Sequence, residues 1–300
     1  MRLLFKCVNL DTIPPYIELW KKTPQKSSDY SSGVLMCWER ALGYQFAFDA
    51  TEELVWIKGA YPEEHYLAPV GDWGAIIDWE GIIRARFGNN ALFQLVQEPL
   101  ADIWRAQMGA AVTVSENRGS WEYLHGVSEL TALTGNKYMR KRNRVNQFRK
   151  MNPYEYIPIT PSVIPSIAEF QREWCESYRD FSGYDSIERE SEGIMRNILG
   201  NWRLMPQLIG GAIETSGRIV AYTIAEDTGD GTVMIHFEKA SLSLNAAYQV
   251  INKEFLSHEG ERFNTVNREE DMDDPGLRDA KMSYHPHGFV KKYTVSIDLR

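Results

Sequence analysis

The sequence of 300 residues is short of cysteine, long apolar runs and recognisable nucleotide or metal motifs, and each shortage removes a class of protein. Cys7, Cys37 and Cys175 are odd in number and far apart, a pattern of free thiols in a reducing compartment rather than of a disulfide scaffold or a cysteine-bound zinc. No uninterrupted apolar stretch approaches the roughly 18–20 residues that span a bilayer, so no transmembrane segment is expected. The start, Met1 to Tyr16, is broken by Lys6, Asn9 and Asp11 and does not read as a signal peptide; a cytoplasmic location is expected. Gly-x-Ser-x-Gly, His-Glu-x-x-His, the phosphate loop and the dinucleotide fingerprint are all missing, which argues against hydrolase, zinc protease, nucleotide hydrolase and dehydrogenase readings. No metal site is expected.

What is present is ordinary globular material, 43 % apolar and 25 % charged, long enough for two domains of about 100–150 residues each. The formal charge of −8 argues against a surface that tracks nucleic acid throughout. Between Lys137 and Lys150, however, seven Lys or Arg occur without an acid. Arg140, Lys141, Arg142 and Arg144 are therefore the candidate polyanion contacts: a tRNA acceptor stem, the phosphates of a carrier, or a peripheral anionic membrane surface. A solvated linker helix is the competing reading.

The first half alternates strand-like segments (Tyr44–Ala50, Glu53–Lys58, Glu64–Val70, Ala91–Gln97) with helical ones (ending at Lys21, Asp78–Phe87, Leu100–Met108), the signature of an α/β layer fold. Ser128 reads as the N-cap of a short helix that breaks at Gly135, and a longer basic helix runs over about 137–151 to Pro153. The domain boundary is expected there, giving domains 1–151 and 152–300. The second half repeats the logic: helices over Pro165–Tyr178 and Ser186–Leu199, strands over Leu208–Glu214 and Ile219–Glu226, and a Thr228-Gly229-Asp230-Gly231 turn. A strand over Thr232–Glu238, a helix over Leu244–His258 and a strand over Phe263–Asn267 come next, then a short helix and a last strand over Phe289–Ile297.

Two groups of residues carry candidate chemistry. In the strand over Thr232–Glu238, alternation puts His236 and Glu238 on one face near its carboxyl end, with Lys239 following; a carboxylate there can hold an amino group or take a proton, and the histidine can relay one. The alternative is a structural ion pair and a satisfied core histidine. In the final segment, Asp274-Pro275 starts a helix on which Arg278, Lys281 and Tyr284 follow at intervals of three, one stripe of two cations and a phenol. Such a stripe neutralises an anionic donor while the phenol protonates a leaving atom, or it is only a solvated basic face.

Asn267, Ala280, Tyr284 and Gly288-Phe289 resemble the last motif of GNAT-type acetyltransferases. A fuller set resembles the phosphatidylglycerol lysyltransferase C-terminal domain family over roughly residues 120–295. It comprises Ser128-Glu129-Leu130 through Lys137, Lys141 through Phe148, Glu238-Lys239-Ala240, Tyr248 with Ile251-Asn252, Asn267 through Asp271, and Gly276 through Pro286. The resemblance implies two tandem acetyltransferase-like (GNAT) domains, each a mixed central sheet flanked by helices, related to the peptidoglycan-bridge aminoacyltransferases. It implies transfer of an amino acid from aminoacyl-tRNA to an amine or hydroxyl acceptor, a membrane lipid in the best-known members. By the same resemblance Glu238, Asn267, Asp271, Arg278, Lys281 and Tyr284 line the site, and Tyr284 is the general acid. Leu242-Ser243-Leu244-Asn245 stands where related sequences place a glycine.

The expected mechanism is direct transfer with no tightly bound cofactor. Glu238 or Asp271 holds the donor ammonium or takes the nucleophile's proton, Arg278 and Lys281 offset charge, and His236, Lys239 and Asn267 complete substrate binding. The alternatives are an acyl-coenzyme A N-acyltransferase on the same fold and a non-catalytic module that binds RNA or protein.

Overall fold

The computed structural model describes residues 3–182, 193, 195 and 197–300; the helix expected over Ser186–Leu199 falls mostly outside the described residues. The chain divides into two compact units, one of Met1–Glu122, Glu270–Arg278 and Phe289–Arg300, the other of Tyr123–Glu269 and Asp279–Gly288. This division comes earlier than the boundary expected after residue 151.

The first unit is built on β1 (Lys6–Cys7), β2 (Gln45–Asp49), β3 (Leu54–Gly59), β4 (His65–Leu67), β5 (Asn90–Gln97), β6 (Val112–Glu116) and β14 (Lys292–Asp298). They form one sheet in the order β1-β2-β3-β4-β5-β14-β6, antiparallel except for the β4–β5 pair. Its helices are α1 (Ile13–Trp20), α2 (Ser32–Leu42), α3 (Trp79–Phe87) and α4 (Glu98–Met108). Helix α2 starts where the Ser31 hydroxyl accepts from the Val34 amide and stops at Gly43, held at φ 64. A side chain at Gly43 would also meet the Ala60 Cβ at 2.7 Å, so both conformation and space require glycine. The core is aromatic: Trp56, Trp79, Trp104 and Phe93 are fully buried, with Trp79 edge-on to Trp56 and to Trp104.

The second unit carries β7 (Glu122–Gly126), β8 (Glu155–Pro158), β9 (Leu208–Thr215), β10 (Arg218–Asp227), β11 (Thr232–Ala240), β12 (Thr265–Asn267) and β13 (Gly288–Val290), in the sheet order β13-β7-β12-β11-β10-β9-β8. Its helices are α5 (Val127–Ala132), α6 (Met139–Met151), α7 (Ile164–Ser182) and α8 (Ala247–Glu259), and α9 (Pro275–Met282) straddles the division between units. Gly126, not Ser128, precedes the first turn of α5, so Ser128 is a helical residue rather than its cap. Val145 and Phe148 of α6 bury against the core that holds Val250, Ile251 and Phe255 of α8, so the basic helix is an integral layer of this unit.

The last strand is a correction of place. Residues 292–298 do not close the second sheet; β14 enters the first, between β5 and β6, while β7 enters the second beside β12. Each half of the sequence thus supplies a strand to the other half's sheet.

Candidate active site

In the second sheet β11 and β12 pair in parallel, and their pairing is short. Thr232, Val233 and Met234 face Thr265, Val266 and Asn267, whereas against β10 strand β11 continues to Ala240. Strand β12 ends at Asn267 while β11 runs on to Ala240, and the fork between the two carboxyl ends is the place where α/β sheets collect ligands. The chain leaves β12 through a turn in which the Asn267 side chain accepts from the Glu269 amide, and Asn267 is itself buried.

Arg268 is the first residue beyond β12 and spans the fork. Its Nη2 donates to Glu238 Oε1 at 3.0 Å, and Asn252 of α8 donates to the other carboxylate oxygen at 3.1 Å. Both members of the pair are nearly buried, so the bond is desolvated and fixes the guanidinium plane. That plane lies over the Tyr284 ring with its Cζ 4.8 Å from the centroid, and the Lys141 Nζ lies 4.1 Å from the same centroid. The Arg268 Nη1 is buried without a hydrogen-bond partner.

Tyr284 is 6 % exposed. Burial pushes its phenol up to about 12, Arg268 pulls against that and Glu238 adds to it. The ring therefore keeps its proton at neutral pH beside cations that would stabilise the phenolate. The backbone of Tyr284 is fixed by the Tyr138 hydroxyl, which donates to its carbonyl at 3.0 Å. Burial, with Arg268 and Arg144 nearby, lowers Lys141 to about 8, so this ammonium is held close to its deprotonation point. Edge-on to Tyr284 stands His125 of β7, wholly buried. Burial and the Arg268 charge lower its imidazole to about 3, so it is neutral.

The remaining expected residues take other places. His236 is the extra residue of a β-bulge, since Phe237 pairs with Ile224 and Ile235 with Ala225. Its Nδ1 meets Glu269 at 2.8 Å and its Nε2 meets Glu226 at 3.2 Å, while Glu238 takes Arg268 and Asn252. Burial works against charge on His236, but the two carboxylates outweigh it and raise it to about 10. An imidazolium clamped in that way is a tie between strands and not a proton relay at neutral pH. Lys239 lies over the Trp174 ring at 4.0 Å and Lys281 over Tyr123 at 5.9 Å. Asp271 and Arg278 belong to the first unit, where they pair bidentately at 2.7 and 2.8 Å, and Arg118 reaches the same carboxylate at 3.2 Å. A buried carboxylate held by two guanidiniums is not free to act as a base, which corrects the role expected of Asp271. Of the four basic-helix residues, Arg140 and Arg144 are exposed, Lys141 turns in to Tyr284, and Arg142 caps the carbonyls of Leu133 and Gly135.

Arg268 and His125 are not among the residues expected from the sequence, and Lys141, expected as a polyanion contact, lies over Tyr284. Arg268 had a signal, because it follows Asn267 directly at the end of a strand; His125 had none. An open recess of about 620 Å³ in this unit is lined instead by Arg149, Tyr154, Tyr156, Glu254 and His258. Among the described residues no group of metal-ligating side chains occurs, and no helix is long and apolar enough to cross a membrane.

Two mixed sheets flanked by helices, each containing a parallel pair, define the class of tandem acetyltransferase-like folds. The family model described as phosphatidylglycerol lysyltransferase, C-terminal, matches residues 20–296, and the chain belongs to that family of acyltransferases. A conserved protein of unknown function from Bacteroides thetaiotaomicron is similar at 28 % identity, covering 99 % of this chain and 100 % of its own, with a TM-score of 0.86. L-PGS from Bacillus licheniformis shares the fold at 12 % identity and a TM-score of 0.65, covering 97 % of this chain and 92 % of its own. FemX does so at 9 % identity and 0.63, covering 99 % and 98 %. No curated protein matches the chain.

Proposed function

We propose that the protein transfers an aminoacyl group from an aminoacyl-tRNA ester to a hydroxyl or amine acceptor, at the fork of β11 and β12. The observation that carries this reading is Tyr284, a buried phenol that holds its proton while Lys141 and Arg268 lie over its ring. In such a transfer the acceptor oxygen or nitrogen attacks the ester carbonyl, the bond to the ribose oxygen breaks, and that oxygen must gain a proton as it leaves. Tyr284 supplies the proton. Lys141 and Arg268 hold the negative charge that passes from the carbonyl to the phenolate, and the proton lost by the acceptor returns through solvent. Glu238 keeps Arg268 in plane and is a positioning residue rather than the base.

The exposed cations Arg140 and Arg144, on the helix that also delivers Lys141, suit the phosphates of the donor RNA. Coenzyme A suits the site less well. The loop before α8 is Ser241 to Ala246, with Ala246 at φ 73 and no glycine to let backbone approach a pyrophosphate. A lipid is the acceptor suggested by the family's name, and a peripheral anionic membrane is the surface on which such an acceptor would be met.

The test is a transfer assay with radiolabelled aminoacyl-tRNA pools, and in parallel acetyl-coenzyme A, against lipid and small-amine acceptors. Label leaving tRNA for an acceptor supports the reading. Transfer only from coenzyme A would replace the donor, and no protein-dependent transfer from either would remove the assignment.

A further inference from the structure

The recess of about 620 Å³ at the end of α6 lies wholly in the second unit, and none of the residues placed around Tyr284 lines it. One side of it is a stack of rings. Gly211 of β9 lies against the Tyr156 ring: a Cβ there would come 2.1 Å from the phenol oxygen, so glycine leaves the ring its place. The Tyr156 ring in turn stacks on that of His258, with centroids 4.1 Å apart and planes 11° from parallel. Both rings are pinned. The Tyr156 hydroxyl donates to Glu259 at 3.2 Å, and His258 Nδ1 donates to the Glu254 carbonyl at 2.8 Å. The His258 side chain is 48 % exposed, so the stack ends in a fixed ring whose outer side is open.

Independently, the same recess holds a charged pair with hydrogen-bonding atoms left over. Arg149 Nη2 and the Tyr154 hydroxyl both donate to Glu254 Oε1 at 2.8 Å. Among the described residues no hydrogen bond reaches Arg149 Nη1 or Glu254 Oε2. Glu254 is 7 % exposed, and a carboxylate oxygen so far from water calls for a donor. A ligand that answers all of these is flat and carries an N–H donor beside an acceptor on one edge. That is the chemistry of a nucleobase, which stacks on Tyr and His rings and is read along its polar edge. A plain hydrocarbon ring would use the stack alone, and an ammonium would meet the Arg149 charge. The exposed Glu155 on the rim opposes phosphate, so the ring is the part that enters.

We propose that this recess binds an unpaired nucleobase, stacked on His258 with its polar edge toward Arg149 and Glu254. The inference goes beyond the transfer reaction and does not rest on it. The base can belong to a free nucleotide or to the single-stranded end of an RNA, and the test separates the two. It is saturation-transfer NMR on the full chain with nucleoside 5′-monophosphates and the trinucleotide C-C-A, using ribose 5-phosphate and phenyl phosphate as controls. The His258 Hε1 resonance, identified by its loss in His258→Phe, locates the ligand. Expected are saturable binding of at least one monophosphate, an upfield shift of His258 Hε1 on stacking, and no saturable binding of either control. His258→Ala is expected to weaken binding about tenfold, as the loss of one base stack does, and His258→Phe to keep it. Glu254→Gln, which removes the acceptor, is expected to weaken it about as much. His258 is half-exposed, so its variants decide the matter even if Glu254→Gln does not fold. Tighter binding of the trinucleotide than of any monophosphate assigns the base to RNA, and equal or weaker binding assigns it to a free nucleotide. Absence of saturable binding, binding that leaves His258 unmoved, equal binding of a control, or unchanged affinity in His258→Ala would overturn the site.

Discussion

Lys141 and His236 are two side chains whose protonation the fold has moved in opposite directions, and each gives a pH signature. Lys141 is lowered by burial and by Arg268 and Arg144, to about 8. Its charge is therefore present below that pH and lost above it, while Tyr284 keeps its proton throughout. Transfer measured as kcat/KM is expected to fall as pH rises through about 8, and Lys141→Arg to abolish that limb, since a guanidinium stays charged. A wild-type profile that stays flat to pH 9 or above would contradict the assignment. His236 is raised from 6.5 to about 10. A base raised on folding contributes stability that is complete below 6.5 and is lost as pH climbs toward 10. The difference in unfolding free energy between wild type and His236→Gln, from urea titrations across that range, is expected to shrink with rising pH. If it is constant, the imidazole is neutral in the fold.

Among the elements, α6 shows most clearly what the sequence reveals and what it conceals. Its length, its stop before Pro153 and its cationic character are legible from composition and spacing, as are β2, β3, β5 and β9 to β12. Which of its cations does what is not legible. The spacing of Arg140, Lys141, Arg142 and Arg144 is that of a uniform charged surface, yet one turns to Tyr284, one caps a neighbouring turn and two face outward. The division is testable by substitution. Arg142→Ala is expected to lower stability by about 1–3 kcal/mol through the lost carbonyl bonds while leaving affinity for tRNA unchanged. Arg140→Ala with Arg144→Ala is expected to leave the melting temperature alone and to reduce the salt slope of tRNA binding by about 2. Fluorescence anisotropy over a salt series, with thermal melts alongside, reads both; a reversed pattern would mean the helix is packed the other way round. Strand β11 makes a related point. Alternation predicts His236 and Glu238 on one face, but the bulge at His236 gives the two side chains separate partners, and a one-residue bulge has no sequence mark here.

At the scale of the whole molecule the α/β class and the tandem arrangement are readable, because alternating helix and strand signals recur in both halves. The exchange of strands is not. Residues 292–298 look like the closing strand of the second half, and nothing in their own pattern of alternating apolar residues says that they pair between β5 and β6. Without β14 the first sheet is cut between β5 and β6, and Val295 and Ile297 are withdrawn from its core. A fragment of residues 1–151 is therefore expected to lack a cooperative thermal transition and the dispersed amide spectrum of a folded domain, in spite of containing the whole N-terminal aromatic core. A cooperatively folded fragment would show that β14 is dispensable. The candidate site suffers from the same long-range closure. Glu238 and Tyr284 can be found from motif and spacing, and Arg268 from its place directly after Asn267, but Lys141 and His125 join them only through the packing of α6 and β7.

The central claim is that Tyr284 gives its proton to the departing oxygen. It is tested most directly by single-turnover transfer in wild type and Tyr284→Phe with two donors of the same amino acid, one a ribose ester and one a p-nitrophenyl ester, whose phenolate leaves without protonation. The account predicts a loss of about 10²- to 10⁴-fold for the ribose ester in Tyr284→Phe, and nearly equal rates of the two proteins for the activated ester. Equal losses with both donors, or no loss with either, would contradict it.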